Sequence, residues 1–452
     1  MKTISKITEF MLDEDYAREP VPLAQRRSWI RLSMIWIAVG VDLSALVLGA
    51  ALASGMTLWQ AIIAISVGSL ILAIIGGICS YVGSATSLST AMINRFTFGE
   101  RGAMVVILIS TISLMGWFGV AAGFFGESAH VVAKSVLGMD LDARWFALLG
   151  GILMTATATI GYKAIEKLSL VAVPLMLSFL AGLITKLSME GDNLSSLLTI
   201  APEGDPIKIG TAISLVVGAF ILACAGSPDV ARWAKNSKDA VLSGFFGFLI
   251  GNSLMMFVAA FLSRLTGTED VIKIMLSIGW GSLAVVLLIL AQWTTNDNNM
   301  YSAGLNLSIL FKWVPKRVLT IVAGTIGTGF AIFGIYDNFI GFLSILSPFA
   351  APIAGIYLVE YFFLNKERFK VAYLRAQKVA SVYWHSLIVW LISAILAMMT
   401  TPSADGGLGL FTLTQVPVLD GLFSAMLLQY VSGRTINRLK HGKYTGHENQ
   451  GA

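Results

Sequence analysis

Apolar residues run in blocks of about 20 along nearly the whole chain, the length a helix needs to cross roughly 30 Å of hydrocarbon. Twelve blocks are predicted as membrane-spanning helices, near residues 30–53, 58–82, 103–133, 144–161, 168–187, 209–227, 239–264, 276–299, 318–335, 338–363, 379–400 and 414–431. Barrel strands are shorter and alternate in polarity. The blocks are long and continuous, so the expected class is an all-α polytopic membrane protein. One block breaks the pattern: the eighth ends "QWTTNDNN", with two threonines, three asparagines and an aspartate in its last turns. Polar groups at membrane depth are costly and usually functional.

Composition sharpens the class, because 13% charged residues is about half the usual share of a soluble domain. Charge then orients the chain. With both termini inside, the cytoplasmic segments hold 25 of the 31 Lys and Arg residues, as the positive-inside rule requires. That asymmetry also accounts for the net charge of +5, so no nucleic-acid partner is implied. The expected location is the cell inner (plasma) membrane. Residues 1–29 are polar and contain acids and prolines, unlike the apolar core of a cleavable signal, so the first span is expected to be retained. Cys79 and Cys224 fall inside predicted spans and read as small core residues. His130, His385, His441 and His447 lack metal-ligand spacing.

The longest gap between spans, 188–208, is too short for a soluble domain. The expected organisation is a cytoplasmic tail (1–29), a five-helix unit (30–187), a second five-helix unit (209–363), two added helices (379–431) and a C-terminal cytoplasmic tail (432–452). A five-helix repeat necessarily inverts its partner, and inverted repeats with interrupted first helices are a transporter architecture. Span 1 ("AVGVDLSALVLGAAL") and span 6 ("VVGAFILACAGSPDVARW") are both interrupted by glycine and polar residues, about 180 residues apart. The same offset carries "GWFG" at 116–119 onto the polar turns of span 8.

On a helix, residues three and four apart share a face. Ala291, Thr294, Thr295 and Asn298 form one stripe, with Gln292, Asn296 and Asn299 beside it. Paired hydroxyls beside a small residue suit a hard cation, with carbonyls of a broken helix 1 near Ala38 to Asp42 as further ligands. Alternatively, the threonines only bond carbonyls of their own helix. Asp42 is a carboxylate at the centre of a span, costing about 2.5–3.5 kcal/mol even on lenient insertion scales. Three roles are open to it: acceptor for substrate N–H groups, protonatable coupling site, or partner of an interior cation. Trp117 and Phe220, each in a stretch of small residues, are candidates to stack on a flat ring. Asp229, Arg232 and Lys235 read as the cytoplasmic end of span 6.

"QWTTNDNNMYSAGL" together with "GWFGV" resembles the nucleobase:cation symporter family 1, the purine/cytosine permeases, most closely its cytosine-permease branch. "PVPLAQRRSW", "NRFTFGERGA", "PDVARWAKN" and the long segment from Tyr336 to Phe363 agree in order and spacing. The resemblance implies a leucine-transporter-like fold, twelve helices with a five-plus-five inverted repeat, and import of a heterocyclic base with a coupling ion, Na⁺ or H⁺. It assigns Na⁺ to the carbonyls of Ala38, Val41 and Ala291 and the hydroxyls of Thr294 and Thr295. Trp117 and Phe220 would sandwich the ring, with Asn296 and Asn299 on its polar edge or bracing helix 1. The chain departs from the branch pattern at Leu114, where that branch carries a substrate-binding glutamine, and at Asp42, where it carries an uncharged residue. Cytosine, purines, hydroxymethylpyrimidine or thiamine, allantoin and hydantoin therefore all stay open as substrates. The protein is expected to work as a monomer in the bilayer and not as an enzyme, since paired catalytic carboxylates and Ser/His arrangements are missing. An uncoupled facilitator or channel is the competing class.

Overall fold

The most distorted span is the first. In the computed structural model, which describes residues 16–190, 198, 201–202, 204–268, 281–403 and 406–448, span 1 is two helices, α1 (Trp29–Gly40) and α2 (Leu43–Gly55), bent by 58°. No proline makes this break. Asp42 is extended (φ −136°, ψ 173°) and its side chain accepts the Ala45 amide at 2.9 Å, so it is the N-cap of α2. An Asx cap competes with helix continuation because it offers the backbone a different partner. Both halves lie against α10 (Ser237–Thr266) at glycines. A methyl group on Gly40 would come 2.3 Å from the backbone of Gly251, and one on Gly49 the same distance from Met256. Small residues at such crossings let membrane helices approach closely.

The remaining elements follow the hydrophobic blocks. They are α3 (Leu58–Thr86), the short α4 (Thr90–Phe98), α5 (Gly102–Leu137), α6 (Ala143–Ile160), α7 (Tyr162–Glu190), α8 (Ile209–Ala225) and the one-turn α9 (Pro228–Ala231). After α10 come α11 (Gly281–Leu310), α12 (Lys316–Ile332), α13 (Phe339–Val359), α14 (Trp384–Thr400) and α15 (Pro417–Glu448). Among the described residues, six helices are long and apolar enough to span a membrane, seven if α1 and α2 are one bent span. Helices also occupy the other predicted blocks, and there the apolar signal is weaker for local reasons. α12 and α14 have 17 residues each, and α11 contains the polar run. Residues 191–197 of the 188–208 gap, 269–280 and both chain ends lie outside the described residues.

Span 6 is not broken at its middle glycine. α8 is continuous to Ala225, and the chain turns only at Gly226–Ser227 before α9. The resulting end is far from a solvated cap, since Asp229 and Arg232 are 2% and 0% exposed. Arg232 donates to the carbonyl of Tyr16 (2.7 Å) and the hydroxyl of Tyr301 (2.8 Å), while Trp233 stacks on Tyr162 at 4.1 Å. The N-terminal segment is part of this lock. Arg27 pairs its amide with Trp233 O, accepts from the Lys235 amide, and donates its guanidinium to Glu166 at 2.9 Å. Residues 16–27 are therefore held on the bundle, where the sequence suggests only a polar tail.

Candidate functional site

Where α1 stops, its last carbonyls have no helical partner. α11 supplies them with hydroxyls. Thr294 Oγ1 lies 3.2 Å from Ala38 O and 2.9 Å from Ala291 O. Thr295 Oγ1 lies 3.1 Å from Val39 O, 3.5 Å from Ala38 O and 3.1 Å from Ala291 O. Both sequence readings thus coexist, own-helix bonding and contact with helix 1, because each hydroxyl oxygen sits among carbonyls of both helices. The result is a buried cluster of five oxygens from Ala38, Val39, Ala291, Thr294 and Thr295. Val41, the other residue expected to offer a carbonyl, lies at the same break, where its amide still donates to Ile37 O, and Val39 joins Ala38 as a carbonyl that meets the threonines.

Beside this cluster lies a cavity. Trp117 of α5 and Phe220 of α8 both line it, as do Asp42, Leu114, Thr295 and Asn299. The two aromatics thus share one chamber, as a stacking pair must. Trp117 is fixed from behind by Phe339 and Phe342, both edge-on with centroids 5.7 Å away. The glycines of "GWFG" serve those neighbours: a methyl on Gly116 would come 2.7 Å from the Phe342 ring, and one on Gly119 2.7 Å from Phe330. The small residues make room for packing behind the tryptophan, and the cavity itself is bounded by Leu114 at the family's departure point.

Asp42 reaches the cavity, yet much of its hydrogen-bonding capacity is used locally. Beyond capping Ala45, it accepts the Ser44 hydroxyl at 2.8 Å on each carboxylate oxygen. Among the described residues its carboxylate makes no ion pair with a Lys or Arg. Asn296 is engaged elsewhere in this structure. Its amide donates to Phe118 O at 3.1 Å and to Met154 Sδ at 3.2 Å, bracing α5 and α6, and it does not line the cavity. Asn299 does line it, while its amide leans on Asn296 Oδ1 at 3.4 Å.

Several polar residues of the cavity were not singled out as site residues from the sequence. Asn298, Ser302 and Asn306 continue the Thr295 face of α11 at helical spacing, Asn94 comes from α4, and Asp229 from the turn after α8. The first three were legible as a stripe. Asn94 and Asp229 were not, since the amide of Thr90 bonds Asp229 at 2.7 Å only once α4 has docked on that turn.

The fold and sequence have known counterparts. The structure of Mhp1, a nucleobase-cation-symport-1 family transporter in a closed conformation with bromovinylhydantoin bound, superposes with a TM-score of 0.78 at 18% identity, covering 93% of this chain and 95% of that one. A Na⁺-coupled sialic acid symporter in an outward-open state superposes at 0.62 with 12% identity, covering 96% of each chain. The cytosine permease of Escherichia coli (strain K12) is 31% identical over 377 residues, covering 83% of this chain and 87% of the relative. The hydantoin permease of Microbacterium maritypicum is 23% identical over 430 residues, covering 90% and 85%. Residues 20–433 match the family model described as permease for cytosine/purines, uracil, thiamine, allantoin. With its fold, its oxygen cluster at a broken helix and its aromatic-walled cavity in place, the chain belongs to the nucleobase-cation-symport-1 family of membrane permeases for nucleobase-like heterocycles, and is a transporter, not an enzyme.

Proposed function

We propose that this permease imports a nucleobase, cytosine or purine-like, or a closely related heterocycle, by symport with Na⁺ through alternating access. The observation that carries the reading is the contact of Thr294 and Thr295 with the carbonyls of Ala38, Val39 and Ala291 at the α1–α2 break, next to the chamber of Trp117 and Phe220. A hard cation takes oxygen ligands, and unwound carbonyls are a common source of them in broken-helix transporters. The threonine hydroxyls have only to rotate their protons away to offer lone pairs. Ion binding then fixes α1 against α11 and so sets one wall of the substrate chamber, which couples the two ligands energetically.

In this reading the chain crosses the inner membrane twelve times with both termini cytoplasmic. α1 to α7 and α8 to α13 are the two inverted five-helix units, and α14 and α15 are additions. The protein works as a monomer. The E. coli cytosine permease supports a base as substrate, while Leu114 and Asp42 leave hydroxymethylpyrimidine or thiamine, allantoin and hydantoin as alternatives. The test is uptake into proteoliposomes of labelled cytosine, uracil, hypoxanthine, allantoin and thiamine, with a Na⁺ gradient or with choline replacing Na⁺. Accumulation above the equilibrium level that needs Na⁺ supports the reading. Accumulation unaffected by choline means protons drive it, and equilibration alone means a facilitator. Trp117→Ala and Phe220→Ala should each cost about 1–3 kcal/mol in binding, the range for removing a base-stacking aromatic.

A further inference from the structure

The polar groups expected to read the substrate are largely occupied: Asn296 by the Phe118 carbonyl, Asn299 by Asn296, and Asp42 by its capping bonds. Two other amides are not. The side-chain oxygens of Asn94 and Asn298 have no hydrogen-bond partner, although the residues are only 2% and 5% exposed. Both line the same cavity as Trp117 and Phe220, one from α4 and the other from α11. A buried amide oxygen left without a partner costs about 1–3 kcal/mol, and two of them on residues lining one cavity are unusual in a native structure. Leu114 and Phe220 offer no side-chain hydrogen bond, so the chamber's polar contacts must come from residues such as these.

We propose that Asn94 and Asn298 form the specificity-determining subsite of this permease, reading an edge of the bound heterocycle on which an N–H or NH₂ donor stands next to a carbonyl or ring-nitrogen acceptor. The inference rests on the reading of the chain as a base importer and adds which side chains discriminate. A carboxamide carries one acceptor and two donors in a plane. It therefore pairs bidentately with such an edge, as Asn does with adenine in protein–DNA recognition. The arrangement selects neutral lactams and amidines, such as cytosine, uracil or hypoxanthine, over rings of the same size without adjacent donor and acceptor. Sites built to hydrogen-bond a polar edge reject analogues lacking it far more strongly than apolar pockets reject a missing methylene.

The experiment measures binding of cytosine, uracil, hypoxanthine and pyrimidine to the purified full-length chain in Na⁺, with melting temperature recorded for each variant. Asn94→Leu and Asn298→Leu should each weaken the tightest of the three bases about tenfold, equivalent to about 1.4 kcal/mol, and leave pyrimidine unchanged. Asn298→Asp, of the same shape but acceptor-only when charged, should reorder the three bases. That variant and Asn94→Ser carry the test if the leucine variants do not fold. Affinities within twofold of wild type and an unchanged order would overturn the subsite. If Trp117→Ala abolishes binding while the asparagine variants bind normally, the importer reading stands and only the subsite falls. If the wild-type chain binds none of the bases, both fall together.

Discussion

Two helix breaks face the same cavity and are finished in opposite ways. At the first, between Gly40 and Leu43, the exposed carbonyls of Ala38 and Val39 meet threonine hydroxyls, groups that rotate freely and accept as well as donate. At the second, after Ala225, the carbonyls are spread over separate donors from different elements and are not gathered round a pair of neighbouring hydroxyls. Tyr357 Oη bonds Ala225 O at 3.0 Å, Thr90 Oγ1 bonds Gly226 O at 3.2 Å, and Pro228 needs no amide partner at the start of α9. Similar backbone interruptions therefore leave one end available to a ligand and the other closed as structure. A broken helix is not by itself an ion site; what occupies its carbonyls decides.

The sharpest way to break the contrast is to add one methyl group to a glycine at each break. Gly40→Ala drives a carbon into the Gly251 backbone, where nothing flexible can yield. It should cost several kcal/mol, beyond the usual range of about 1–3 for overpacking, seen as loss of folded, transport-competent protein in detergent. Gly226→Ala meets Leu222 O at 3.3 Å and Ala223 O at 3.6 Å from a backbone of ordinary φ, and its melting temperature should stay close to wild type. Equal losses would remove the asymmetry.

Next in size, Thr295→Ala deletes the hydroxyl nearest Val39 O and should raise the Na⁺ concentration for half-maximal uptake at least about tenfold, the equivalent of one charge-assisted contact. Folding should be nearly intact, because the remaining carbonyls still have Thr294 beside them. An unchanged Na⁺ dependence would place the ion elsewhere. The mirror experiment is Tyr357→Phe at the second break. It should cost about 0.5–1.5 kcal/mol of stability, the net worth of one hydrogen bond, with no change in the Na⁺ requirement. A shifted Na⁺ dependence there would mean that both breaks carry ions.

The smallest stability change is expected at Asp42, since asparagine caps helices about as well as aspartate. Asp42→Asn should alter melting little. It should instead weaken ligands that present N–H donors by several-fold, measured by binding of the base series. Normal binding with accumulation abolished would identify Asp42 as a coupling group, and unchanged binding and transport would reduce it to a cap.

The sequence by itself determined the class, where helices form and the existence of a polar stretch in α11, because span length and the cost of buried polar groups are local properties of the chain. It also marked the first break, whose cause is a single side chain capping three residues ahead. What it left open depends on contacts between residues far apart in number. Thr295 meets the carbonyl of Val39 because the chain leaves the helix at Gly40, which frees that carbonyl from its helical partner. Asn296 turns to Phe118 and Asn298 faces the cavity because α5 packs on one side of α11 and not the other. Arg232 and Arg27, both charged and near polar loops, are clamped because the N-terminal segment folds back onto α7 and the turn after α9, and Asp229 is buried because α4 docks on it. Helical periodicity says which residues share a face. Only the packing of neighbouring helices decides what that face meets.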